Sequence, residues 1–138
     1  MSYTARKYMS RKVLTFSPDM EVLEAVSLLV QHDVSGGPVV DRFGNLVGVL
    51  SEIDCLRGAV HAGYHGSHGG KVSEYMRVQF ETVDVDDSIM DIVRLFREDE
   101  FYYYRGFPVM LDNRVVGRIG LRDVLRALQD MAQEEAGA

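Results

Sequence analysis

Gly48-Val49-Leu50-Ser51-Glu52-Ile53-Asp54 returns 69 positions later as Gly117-Arg118-Ile119-Gly120-Leu121-Arg122-Asp123. Each copy reads as the end of an apolar strand entering the first turn of a helix. Ser51 and Asp54 have the spacing of a capping box, in which a hydroxyl and a carboxylate satisfy the open N–H groups of a helix start. The duplication continues outward from this stretch. Pro38-Val39-Val40 matches Pro108-Val109-Met110, Val22 and Val26 match Ile89 and Val93, Asp19 matches Asp86, and Lys7-Tyr8-Met9 matches Glu74-Tyr75-Met76. The offset drifts only from 67 at the N-terminal end to 70 at the prolines. A repeated unit too small to bury its own apolar face implies paired halves, here expected to pack about an approximate twofold axis into one core. Matched halves also form matched grooves, which are places for small ligands.

Within the first copy, Val13 to Phe16 reads as a short strand. Asp19 is placed to cap a helix whose Val22, Val26, Leu29 and Val30 recur at helical spacing. Pro38-Val39-Val40 and Leu46 to Leu50 read as two strands around the turn Asp41 to Asn45, and a second helix opens at Ser51 and runs through Cys55-Leu56. The second copy repeats this order. Phe80 to Val83 is extended, Asp86 can cap, and Ile89, Ile92, Val93 and Phe96 line one helical face. Pro108 to Leu111 and Val115 to Ile119 form a hairpin around Asp112-Asn113, and Leu121 to Met131 closes as a helix with Val124, Leu125 and Leu128 inward. The fold class is therefore α/β, sandwich-like in its α+β arrangement: two pseudo-twofold-related β-α-β-β-α repeats, residues 7–60 and 74–130, joined by a linker over 61–73.

At 138 residues, with 46% hydrophobic and 26% charged residues, the chain suits one compact unit. A net charge of −6 argues against a nucleic-acid backbone as the main partner, although a local basic cluster can still hold a small phosphorylated ligand. The single cysteine, Cys55, excludes an intrachain disulfide and fits a reducing compartment. Met1 to Lys12 lacks the apolar core of a secretory signal, and no run approaches the ~18 apolar residues of a membrane span. A cytoplasmic protein with no membrane partner is expected.

Gly58 to Lys71 holds five glycines and reads as a flexible crossover. His61, His65 and His68 lie in it at spacings of four and three, which would suit a metal on one side of a helical turn. Glycine works against that helix, and no Cys, Asp or Glu in the tract completes a ligand set, so the reading is a solvated connector without a metal.

A strand-helix-strand-strand-helix unit that ends in glycine, two apolar residues, Ser/Thr, two more residues and Asp resembles the cystathionine β-synthase (CBS) domain. The whole chain, over roughly residues 7 to 128, is similar to a stand-alone tandem CBS pair, or Bateman module. The resemblance implies clefts between the repeats that take adenine-containing ligands: AMP, ADP, ATP, S-adenosylmethionine or, by extension, NAD. It also implies that the Ser/Thr of the ending motif serves phosphate and its Asp serves ribose, while the opening strand and the segment before the proline come from the other repeat. The chemistry agrees, since a carboxylate accepts from both ribose hydroxyls and a helix N-terminus favours an anion.

Carried onto this sequence, the first site joins Ser51 and Asp54 to Phe80, Glu81, Arg105 and Gly106. The second joins Asp123 to Val13, Leu14, Ser35 and Gly36. It departs from the family pattern because Gly120 stands where Ser/Thr is expected, with Arg118 and Arg122 nearby to supply positive charge. Ser51 and Asp54 fit a simple helix cap equally well, and glycine is also a tolerated cap. Phe101-Tyr102-Tyr103-Tyr104 accounts for the extra residues of the second repeat and suits either stacking on a base or packing at an interface.

The expected function is a non-enzymatic regulatory sensor that binds an adenine nucleotide, forms the disc-like homodimer common to the family, and acts through a separate regulated protein, since no effector segment is fused to the chain. Two other classes compete: a structural dimerisation module with vestigial clefts, and a histidine-metal hydrolase built on the linker.

Overall fold

The computed structural model describes residues 2–65, 69–98 and 105–137. In chain order these form α1 (Ala5–Tyr8), α2 (Val22–His32), β1 (Gly36–Val40), β2 (Leu46–Ser51) and α3 (Glu52–His65). A short 3-10 turn (Val72–Glu74) then leads to β3 (Val83–Asp84), α4 (Ile89–Glu98), β4 (Gly106–Leu111), β5 (Arg114–Gly120) and α5 (Leu121–Gly137). β1 and β2 form an antiparallel hairpin, while β3 runs parallel to β4, which pairs antiparallel with β5. The two-residue turn between β4 and β5 places Asp112 and Asn113 at φ of 50° and 65°, the left-handed pair that matches a hairpin's twist. The expected leading strand of the first copy reduces to one parallel bridge, Phe16 to Val39. Its counterpart β3 begins at Val83, where the expected extended run ends.

The leading segment of each copy packs into the other copy. Thr4 bridges Ser88, and 67 positions on Lys71 bridges Glu21; Ser10 bridges Arg118, and Arg77 bridges Val49. Backbone bonds repeat the exchange, with Ala5 N donating to Asp87 O at 3.0 Å and Val72 N to Met20 O at 2.8 Å. The buried apolar residues accordingly fall into two clusters, which corrects the expectation of one shared core. One joins Ala5 and Tyr8 to Val83, Ile89, Ile92, Phe107, Val109, Ile119 and Val124. The other joins Val72 to Phe16, Val22, Ala25, Leu29, Val39, Leu50 and Cys55.

Gly48 and Gly117, the first residues of the repeated stretch, explain themselves in this exchange. A Cβ on either would lie 2.7 Å from the sulfur of the crossing methionine, Met76 or Met9. Only a bare backbone lets the leader cross the strand.

Several local expectations are corrected. Asp19 and Asp86 do not cap the helices, because each sits in a turn closed one residue later: Met20 N bonds Ser17 O at 3.1 Å, and Asp87 N bonds Asp84 O at 2.9 Å. The N-caps are Glu21, with no side-chain bond, and Ser88, whose Oγ accepts Asp91 N at 3.2 Å. Val30 and Leu125 face outward, 76% and 54% exposed. The Gly58–Lys71 tract is not a flexible crossover throughout, since α3 continues through Gly58 and Gly63 to His65. Gly58 is buried against α2, where an added Cβ would stand 2.6 Å from a Val22 methyl. Close helix–helix approach outweighs glycine's poor helix propensity. His68 and Phe101 to Tyr104 lie outside the described residues.

The two glycines of α3 make a paired test. Nothing stands within 4 Å of a Cβ built at Gly63. Gly63→Ala should therefore raise stability by about 0.5–1 kcal/mol through chain entropy. Gly58→Ala should instead lower it by about 1–3 kcal/mol through overpacking. Denaturant midpoints measure both, and a stabilising Gly58→Ala would contradict the packing described.

Candidate functional site

The two repeated stretches place matched carboxylates where a buried strand becomes a helix. In the first, Ser51 N and Ser51 Oγ donate to Asp54 Oδ2 at 3.1 and 2.8 Å, and Asp54 N donates back to Ser51 Oγ at 3.2 Å. This is the reciprocal capping box that the spacing predicts. Arg57, one turn on, donates Nη2 to Asp54 Oδ1 at 2.5 Å. In the second stretch Gly120 N donates to Asp123 Oδ2 at 2.7 Å, and Arg126 Nη2 to Asp123 Oδ1 at 2.7 Å. In these bonds to the carboxylate the junctions match, except for the hydroxyl that Gly120 lacks. They also differ in access, with the Asp54 side chain 7% exposed and that of Asp123 17%.

Arg57 and Arg126 are the residues the motif reading passed over. Their signal is in the sequence as Asp54-Cys55-Leu56-Arg57 and Asp123-Val124-Leu125-Arg126, a repeated Asp-x-x-Arg that puts the guanidinium one helical turn beyond the carboxylate. Cys55 occupies the core position matched by Val124, and burial with the adjacent Asp54 carboxylate pushes its thiol up to about 12. It serves as a small apolar residue.

The segments before the prolines lie beside these junctions. Gly36 is the register partner of Ser51, and Glu52 N donates to Ser35 O at 2.9 Å. Leu14 O lies against Gly37, 2.4 Å from where a Cβ would stand. Gly106 is the partner of Gly120, and Arg118 Nη2 donates to Arg105 O at 3.2 Å. These contacts gather Leu14, Ser35, Gly36, Ser51 and Asp54 at one junction, and Arg105, Gly106, Arg118, Gly120 and Asp123 at the other. Val13 and Phe80 are partly buried on the leaders, whereas Glu81 and Arg122 are exposed. The cross-repeat pairing of Asp54 with Phe80, Glu81, Arg105 and Gly106, and of Asp123 with Val13, Leu14, Ser35 and Gly36, rests on the family pattern. The two halves do touch where their hairpin turns meet, with Arg114 donating to Phe43 O.

The second junction is tied to the N-terminal leader. Arg126 Nη2 also donates to Tyr8 O at 3.2 Å, and the Tyr8 hydroxyl donates to Asp130 Oδ2 at 2.7 Å. Among the described residues, no group of three His, Cys, Asp or Glu side chains is placed to hold a metal ion. Nor is any helix long and apolar enough to cross a membrane.

Comparison with known proteins agrees with the repeat reading. The family model described as "CBS domain" matches residues 5–61 and 72–130. CBS domain-containing protein YhcV of Bacillus subtilis (strain 168) is 32% identical over 130 residues, covering 94% of this chain and 87% of that protein. A crystal structure of CBSX2, an Arabidopsis thaliana protein, in complex with AMP has a TM-score of 0.79 at 27% identity and covers 95% of this chain and 99% of that one. The CBS domain pair of MJ0100, crystallised with 5′-methylthioadenosine and S-adenosyl-L-methionine, has a TM-score of 0.75 and covers 95% and 99%. At 23% identity, its likeness to this chain is one of fold.

Burial, with the Asp130 carboxylate, raises the Tyr8 phenol from 10.0 to about 12. The folded state thus favours the neutral phenol. Its contribution to stability is complete below pH 10 and is lost as pH rises from 10.0 towards about 12. Denaturation curves across that window should show a shallower fall for Tyr8→Phe than for wild type. Parallel curves would mean that the phenol's anchorage of the leader contributes nothing there.

Proposed function

This chain belongs to the CBS-domain family and carries two CBS domains in tandem, and on that premise we propose that it is a regulatory module that binds an adenosine-type nucleotide between its repeats and reports occupancy to a separate protein. The observation that carries this reading is the matched pair of carboxylates, Asp54 and Asp123, each fixed at a strand-to-helix junction. AMP, ADP and ATP are the primary ligands proposed, with S-adenosylmethionine and NAD as further members of the same chemical class.

At the first cleft Asp54 accepts the ribose hydroxyls, and the N-terminus of α3 with Ser51 faces phosphate. The family pattern adds Phe80, Glu81, Arg105 and Gly106 from the other repeat, although the backbone of Arg105 and Gly106 lies beside the second junction. At the second, Asp123 takes the ribose, Arg118, Gly120 and Arg122 surround the phosphate, and Val13, Leu14, Ser35 and Gly36 flank the base. Asp54 already receives three donors, Ser51 N, Ser51 Oγ and Arg57. A carboxylate offers about four lone-pair sites, so a diol binding through two hydroxyls displaces Arg57 from Oδ1. The Arg57 side chain is 60% exposed. Moving it into water costs the arginine little, and the buried Asp54 carboxylate exchanges that ion pair for the ligand's hydroxyl donors. Oxygen Oδ2 keeps the helix capped throughout.

The module has no chemistry of its own in this reading, acts in the cytoplasm and works as a homodimer. Ile53, Leu56 and Val60 on α3 and Leu121 and Leu125 on α5 are exposed at helical spacing. They give a second copy an apolar surface on which to pack.

A thermal-shift panel with AMP, ADP, ATP, NAD and S-adenosylmethionine tests the proposal. A ligand at 100 times its dissociation constant stabilises the folded chain by about 2.7 kcal/mol. Flat curves across the panel would favour a purely structural dimerisation unit. By calorimetry, Asp54→Ala should weaken the first site roughly 10- to 150-fold, the equivalent of a hydrogen bond to a charged group. Ser51→Ala should weaken phosphorylated ligands while leaving adenosine nearly unchanged. Melting curves without ligand separate these effects from loss of the cap, worth about 1 kcal/mol. An unchanged dissociation constant in Asp54→Ala would remove ribose recognition from that residue.

A further inference from the structure

Two of the positions at which the junctions differ, 51/120 and 49/118, lie on one strand face. In the first junction, Ser51 carries a hydroxyl that donates to Asp54, and the residue two before it is the buried Val49. In the second, Gly120 carries nothing, and the residue two before it is Arg118. Side chains two apart on a strand share a face. The Arg118 guanidinium lies along that face over the bare glycines, its Nη1 3.0 Å from where a Gly120 Cβ would stand and its Nη2 3.1 Å from a Gly106 Cβ. Nη2 is tethered to Arg105 O at 3.2 Å, and Arg105 itself holds a left-handed φ of 60°, uncommon for a residue with a side chain. A serine or threonine at 120 would crowd the guanidinium. The missing side chain and the arginine are therefore two parts of one arrangement at the head of α5.

We infer that Arg118 replaces the hydroxyl missing at position 120 as the anion-binding group, and so makes the second cleft selective for phosphorylated adenosine ligands over neutral adenosine. A planar fork of N–H donors matches phosphate oxygens and carries full charge. The Ser51 hydroxyl, by contrast, is neutral and already engaged with Asp54. The inference rests on nucleotide binding as proposed above and deepens it by naming the ligand class at one of the two clefts.

Calorimetric titrations with AMP and with adenosine, on the full chain carrying the isosteric Asp54→Asn change to weaken the first cleft, test it. AMP should bind more tightly than adenosine. Adding Arg118→Gln should weaken AMP roughly 10- to 150-fold and leave adenosine unchanged. Arg118→Lys, which keeps the charge without the fork, should recover part of the AMP affinity. Melting curves of each variant establish that it is folded. An equal loss for AMP and adenosine would show that Arg118 only shapes the cleft, and no change for either would remove it from the site. Failure of both ligands to bind the otherwise unchanged wild-type chain would instead overturn the nucleotide reading, and this inference with it.

Discussion

Each half of this protein is completed by the leader of the other. Thr4 lies on Ser88 as Lys71 lies on Glu21, and Ser10 lies on Arg118 as Arg77 lies on Val49. The exchange explains why the clusters seeded by Val22 and by Ile89 stay separate while the halves stay together. It also accounts for the glycines that open the repeated stretch, since Met76 and Met9 occupy the space a side chain would need at Gly48 and Gly117. Neither cluster closes on residues from one copy alone, so the spatial relation of the two junctions is built into the folding of each.

The junctions turn that rigidity into chemistry. A carboxylate at the third helical position is favoured by the helix dipole whatever else it does. Here both carboxylates take backbone donors on Oδ2 and an arginine on Oδ1. Stability uses the first oxygen and leaves the second to an exposed, exchangeable partner. In the proposed function, it is this partner that a ligand exchanges with while the helix stays capped. At the second junction the same Arg126 also reaches Tyr8 O. That guanidinium therefore ties the second junction to the leader that completes the C-terminal cluster.

Much of this was legible in the sequence because it is local. The Ser51–Asp54 box, the Asp112-Asn113 turn and the hairpins announce themselves within a few residues, and duplication confirms each against its copy. The leader exchange was not legible, because its partners are distant in sequence and the matching Lys7-Tyr8-Met9 and Glu74-Tyr75-Met76 carry no sign of crossing. Gly58 reads as a helix breaker until Val22 is seen against it. Asp19 and Asp86 have the composition of caps but stand in the turns before them, two residues upstream of the true N-caps. At the candidate site the carboxylates could be named in advance. Arg57 and Arg126 needed only a longer reading of the repeat, and a spacing of two puts Arg118 on the face of Gly120, whereas its reach across Gly106 to Arg105 O depends on side-chain geometry.

The central claim is that the capping carboxylates are also the ribose acceptors. A crystal structure of the chain grown with saturating AMP tests it most directly. The account predicts ribose hydroxyls within hydrogen-bond distance of Asp54 Oδ1 with Arg57 displaced, or of Asp123, whose two donors leave room for both hydroxyls, with Oδ2 still capping the helix in either case. AMP bound elsewhere, with both arginines still on their carboxylates, would contradict it.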